Sequence, residues 1–190
     1  DAYHYVGIRV TTQPNKLEYT KDETLDTTGM VVSDIYQTPI YTGSGLGQRK
    51  EIKLQQPVTA SSLRLLLKSV NQGAEPPCLN EVEVYNGAVT GTNLARSATA
   101  SANSWHQGAN LPPSKIIDGD TSDNSRWAAA GQDMPVWVQL DWTTPQTFDT
   151  IVIYEWKNQW ENYWRAKDYE LLLPGHAGSQ TGIPLSAAQY

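Results

Sequence analysis

Short strand-like runs dominate this chain, several alternating apolar and polar residues at every second position, and Gly, Pro, Asn or Asp bounds each. That period of two commits the chain to half-buried strands. "KEIKLQQPV" sets Ile52 and Leu54 on one face and Lys53 and Gln55 on the other. "SSLRLLLKSV" brings Leu63, Leu65 and Leu67 into step. "NEVEVYN" turns Val82 and Val84 inward and Glu81 and Glu83 outward. "VWVQLDW" sets Val136, Val138 and Leu140 against Trp137, Gln139 and Asp141. "FDTIVIYEW" is almost continuously apolar, as a central buried strand requires, and "KDYELLL" adds another strand. No segment sustains an apolar period of 3.6, so the fold class is all-β, a sandwich or jelly roll.

Composition narrows the function. The chain has 190 residues, enough for a real core. Only 18% are charged, and the net charge of -6 provides no basic surface for a nucleic-acid backbone or anionic lipid. Cys78 is the only cysteine, so no disulfide closes within the chain. No apolar run is long enough to span a bilayer as a helix. Asp1 opens no signal-peptide pattern, so the chain is expected to be either a mature product or a piece excised from a longer one, and the unfinished polar loop before Tyr190 favours the second.

All seven tryptophans lie between residues 105 and 164. Trp105 and His106 fall in the polar stretch "SANSWHQGANLPPS", and Trp160 and Trp164 in "KNQWENYWRAK". An aromatic ring in a polar loop is costly to expose unless something covers it. Sugars fit that need, because their C–H faces stack on aromatic rings and their hydroxyls seek paired donors and acceptors. The candidate carbohydrate-binding residues are Trp105, His106, Trp160, Glu161, Asn162, Tyr163, Trp164 and Arg165. Packing onto the scaffold is the competing expectation for Trp156, Tyr163 and Trp164. His4 and His176 lack partners and read as ordinary surface residues. No nucleophile motif, phosphate loop or zinc spacing occurs, and Glu81 and Glu83 sit too close on one strand for acid–base work, so no catalysis is expected.

A family resemblance then emerges. "NLARSATASANSW", "SKIIDGDTSDNSRWAAAG", "VWVQLDWTTPQTFDTIVIYEW" and "RAKDYELLL" resemble, in order, the first two-thirds of a coagulation factor 5/8 type C (discoidin-like) domain. The nearest likeness is to carbohydrate-binding modules of family 32, with their galactose-binding-like jelly roll. "KEIKLQQPVTASSLRLLLKSVNQGAEPPCLNEVEVYN" is similar to the family's closing third, yet precedes the opening. Residues 41–86 and 92–173 together make about one domain. One arrangement is a single sandwich in circularly permuted order, with "GAVTGT" as the linker between the old ends. The other is two incomplete modules, each with open sheet edges and an uncovered apolar face. The single sandwich is favoured. Residues 1–36 resemble the first strands of a bacterial Ig-like domain, or supply extra N-terminal strands. Residues 37–190 would be the sandwich, 37–86 carrying the family's C-terminal part and 87–190 its N-terminal part.

The resemblance implies a noncatalytic carbohydrate-binding module, of galactose-type preference, in a secreted or cell-surface bacterial protein such as a glycoside hydrolase. It implies a monomeric module of a larger chain, with no nucleic-acid partner. The alternative is a structural or adhesion spacer without a sugar site; discoidin-like lipid binding is disfavoured by Glu161 and Asn162 among the aromatics. The Asp-rich loop offers the oxygens a hard cation needs. The resemblance implies structural calcium there, held by a carbonyl near Lys115, by Asp118, by oxygens around Asp120 and Ser125, and by Glu81. Asn-Ser stands before Arg126–Trp127 where the family often has Thr, which lengthens the loop.

Overall fold

The computed structural model describes residues 39–71, 76–156 and 166–174. The chain divides into two compact units, residues 1–37 and 38–190; the Ig-like expectation for residues 1–36 lies outside the described residues. Within the second unit the strands are β1 (Tyr41–Ser44), β2 (Lys50–Val70), β3 (Cys78–Tyr85), β4 (Thr99–Ala102), β5 (Trp127–Ala128), β6 (Val136–Glu155) and β7 (Ala166–Leu172). Two 3-10 turns, Leu94–Ser97 and Pro113–Ile117, are the helical elements among the described residues. The fold is all-β, with antiparallel pairing throughout these strands.

The sheet order is β1-β7-β2-β6-β3-β5, with β4 also on β6. β2 and β6 run antiparallel along most of their length, Lys50 opposite Ile153 and Leu67 opposite Val136. Their register shifts between Lys53 and Val58 and again between Ala60 and Ser62. Such irregularities bend and twist a strand pair, and they divide each long strand into two arms. One arm joins Ser62–Leu67 and Val136–Asp141 to β4 and β7. The other joins Lys50–Lys53 and Thr150–Ile153 to β3. Leu65 and Val138 from the first arm, Val82 and Ile153 from the second, and Ile116 from the second 3-10 turn border one small interior void. The arms therefore face each other across a shared core, as the layers of a sandwich do.

The period of two survives in the burial of β2 and β6. Ile52, Leu54, Leu63, Leu65, Leu67, Val136, Val138 and Leu140 are buried. At the bend, the Trp142 and Phe148 rings lie 5.8 Å apart, and Trp142 Nε1 donates to the Leu94 carbonyl at 2.9 Å. β2 and β3 thus share one hydrogen-bonded sheet and one core with β4–β7. The turn between β3 and the first 3-10 turn is tied down as well. Gly87 N donates to Asp149 Oδ1 at 2.9 Å, and Thr150 Oγ1 donates to the Gly87 carbonyl at 2.8 Å.

β3 departs from expectation. Its alternation predicts Glu81 in solvent, yet Glu81 is 0% exposed and Asn80 is 3% exposed. The pairing of β3 with β6 explains how neighbours are both buried. Leu79 faces Glu155 and Glu81 faces Tyr154, so the register slips at Asn80. The Asp118 loop then covers the strand from the side that sequence assigns to water, with Gly119 N donating to Glu81 Oε1 at 3.1 Å.

Candidate functional site

The Asp118 loop begins where the second 3-10 turn ends and returns to the sheet at β5. Its backbone is held by short-range side-chain bonds. Asp118 Oδ1 accepts from Asp120 N at 3.0 Å, and Asp120 Oδ1 accepts from Ser122 N at 2.9 Å. Ser125 Oγ donates to Asp118 Oδ2. Lys115 Nζ lies 3.8 Å from the same oxygen. Gly119 has φ +81°, in the region that disfavours side chains, and a Cβ there would meet Arg96 Nη1 at 3.0 Å. Glycine at 119 thus lets the loop aim an N–H at Glu81 while Arg96 crosses above and donates to the Ile117 carbonyl.

Glu81 is the electrostatic anomaly of this region. Burial pushes its carboxyl up from the usual carboxylate range to about 8, the Gly119 N–H pulls it partly back, and the nearby Asp118 charge raises it further. Glu81 Oε2 is buried without a hydrogen-bond partner. An orphaned carboxylate oxygen beside a second carboxylate calls for a proton or a cation. Among the described residues, no three His, Cys, Asp or Glu side chains converge as a metal cage. A cation here would therefore draw on Glu81 and Asp118, the Ser125 hydroxyl and backbone carbonyls, an all-oxygen set that fits a hard ion. Asp120 is spent on its own turn, with its carboxyl held low by the Ser122 hydroxyl and N–H.

The first aromatic loop runs between β4 and the second 3-10 turn. Trp105 is half-buried and packs against the core cluster. His106 is exposed. Its N–H donates to the Ala128 carbonyl at 2.9 Å, and its carbonyl accepts from Leu111 N at 3.2 Å. Its Nδ1 accepts from Ala109 N at 3.1 Å. An acceptor at Nδ1 places the proton of the neutral ring on Nε2, which leaves that nitrogen a donor. Trp160, Glu161, Asn162, Tyr163, Trp164 and Arg165 lie outside the described residues.

Trp156, at the end of β6, is anchored to the scaffold. Its Nε1 donates to the Asp123 carbonyl at 3.3 Å, and Arg126 stacks over its ring at 4.3 Å. Trp127 is fully buried, with its Nε1 on the Ser104 carbonyl at 3.0 Å. The Trp105 loop and the Asp118 loop are thereby joined through consecutive residues, Arg126 and Trp127. Sequence reasoning missed Asn80, which holds the Asp118 loop from the strand side. Its Nδ2 donates to the Thr121 carbonyl at 3.3 Å and to Asp123 Oδ1 at 3.1 Å. The register slip that turns it inward has no signature in composition or spacing.

Residues 97–173 match the family model of the F5/8 type C domain. That stretch is similar to discoidin-type modules, which are generally noncatalytic and bind carbohydrates or other ligands. No curated protein matches the chain.

Proposed function

We propose that this F5/8 type C segment, completed by β1–β3 from the residues before it, is a glycan-binding module of a secreted or surface-attached multimodular protein such as a glycoside hydrolase. Its closing strands then precede its opening ones, in permuted order. The observation that carries the reading is the Trp105–His106 pair. A half-buried indole and an exposed imidazole sit on one loop whose backbone is fixed by bonds from His106 and Ala109. Stacking plus a directed hydrogen bond is how a terminal sugar of galactose type is held. The residues from Trp160 to Arg165 would supply the remaining contacts. Affinity per site is weak, because a single sugar ring offers few atoms.

Calcium belongs to the same reading. Glu81, Asp118, Ser125 and carbonyls near Lys115 and Asp120 would hold it, and its charge would hold the loop against β3. The partner is carbohydrate, and the module is monomeric within a longer chain.

A second reading, a spacer or adhesion domain without a sugar site, draws on Trp105 packing against the core. A glycan array with Trp105→Ala and Trp160→Ala separates the two. Binding that both substitutions weaken tenfold or more supports the glycan module. No binding to any glycan leaves the spacer.

A further inference from the structure

The turn that leaves β3 holds the single Asn-Gly pair of the chain, Asn86–Gly87. Such a pair is chemically labile, because glycine has no side chain to obstruct attack by its nitrogen on the preceding side chain. A bond forms between Gly87 N and Asn86 Cγ, the side-chain nitrogen leaves as ammonia, and a cyclic succinimide results. Water then opens the ring at either carbonyl, leaving aspartate or isoaspartate. The first step has two requirements. The Gly87 nitrogen must lose its proton, and it must turn toward Asn86 Cγ.

The fold gives access to this site and opposes both requirements. Asn86 is exposed, so water reaches it. Gly87 N, however, donates to Asp149 Oδ1 at 2.9 Å. An N–H held on a carboxylate is harder to deprotonate, since the amide anion would face a negative charge. Asp149 is itself too weak a base to take that proton. Lys53 Nζ at 2.7 Å, the Gly87 N–H and the Thr150 hydroxyl hold its carboxyl down to about 2. Rotation is opposed from the other side of the residue. Thr150 Oγ1 donates to the Gly87 carbonyl at 2.8 Å, and Lys53 Nζ braces that hydroxyl at 3.0 Å. Both backbone polar groups of Gly87 are therefore tied to β6, at φ +90°, a conformation that glycine adopts without strain.

We infer that Asn86 is a deamidation site gated by Asp149 and Thr150, closed while they hold Gly87 on β6 and open to succinimide formation when those bonds are released. Conversion adds a negative charge one residue from the Gly87–Asp149 bond. As isoaspartate it also lengthens the backbone by one atom at the exit of β3. Each change loosens the turn that the clasp holds, so release and conversion reinforce each other. None of this depends on a glycan at the Trp105 loop.

The test follows residue 86 by tandem mass spectrometry of the whole chain incubated at mildly alkaline pH, once folded and once in denaturing urea. The folded chain should convert at least tenfold more slowly than the unfolded one. Asp149→Ala should raise the folded rate at least tenfold, with circular dichroism showing that the chain stays folded. Should that variant not fold, Asp149→Asn, which keeps the shape and removes the charge, takes its place and should raise the rate severalfold. Lys53→Met weakens the clasp but leaves both Gly87 bonds, so its conversion should stay slow, which separates loss of the gate from general destabilisation. Equal rates in the folded and unfolded chain, no acceleration in the folded Asp149 variant, or equal acceleration by Lys53→Met overturns the inference.

Discussion

At Glu81 a single carboxyl couples pH to stability. Its folded value of about 8 stands above the ordinary 4.5, so the folded chain holds a proton that the unfolded chain releases between those values. Stability from this group is fully present below about 4.5 and is lost as pH rises through 8 in cation-free protein. Each unit is worth about 1.4 kcal/mol, so the loss is on the order of a few kcal/mol. Calcium at Glu81 and Asp118 would offset that loss where the carboxylate is charged. The melting midpoint should therefore rise with added calcium more at pH 8 than at pH 5, and Glu81→Gln should remove both the calcium response and the alkaline slope. Identical midpoints with and without a chelator at both pH values would count against an ion at this site. Gly119→Ala belongs to the same contact. It forces a side chain into φ +81° and against Arg96, and a loss of about 1–3 kcal/mol is expected from denaturant unfolding.

Among the elements, β2 and β6 form the spine, and their inward leucines and valines set its strength. Leu65→Ala, at a position 3% exposed beside the shared interior void, should cost about 2–5 kcal/mol by urea unfolding. The bend region carries an electrostatic clasp. Lys53 Nζ lies 2.7 Å from Asp149 Oδ2, and with the Gly87 N–H and the Thr150 hydroxyl it holds the Asp149 carboxyl down to about 2. A depressed carboxyl contributes stability above its ordinary value near 3.8 that is lost as pH falls toward 2. Asp149→Asn should flatten this acid limb of a melting-midpoint curve; an unchanged limb would assign the acid sensitivity elsewhere. These strands were legible beforehand, because a buried face repeats every second residue and Ile52, Leu63, Leu65, Val138 and Leu140 obey it. Glu81 and Asn80 were not legible. A one-residue register slip against Glu155 and Tyr154 and a covering loop about forty positions downstream decide their burial. His106 was named from its residue type and loop, whereas the Nδ1 bond that fixes its tautomer is a fact of the folded turn alone.

For the whole molecule, the decisive fact is that β2, which runs along one edge of β6, and β3, which shares the other edge with β4, both come from before residue 86. β2 pairs with it along nearly its full length, and β3 closes its other edge from Thr150 to Glu155. Residues 92–190 alone would retain β4–β7 but expose the inner faces of Val138, Leu140, Ile151 and Ile153, which β2 and β3 now cover, together with unpaired backbone on β6. Half a sandwich with an open central edge is a template for aggregation rather than a domain. A fragment of residues 92–190 should therefore give no dispersed amide spectrum and should aggregate. A chain covering residues 38–190 should melt cooperatively. The turn at residues 86–92 gives a sharper version of the test, since it carries no strand pairing. Protease cleavage engineered there should leave both pieces associated, held by the β2–β6 and β3–β6 pairing, and co-eluting on gel filtration with one shared melting transition. Separation of the pieces, with the later one still folded, would mean that residues 92–190 form a domain without the strands before them.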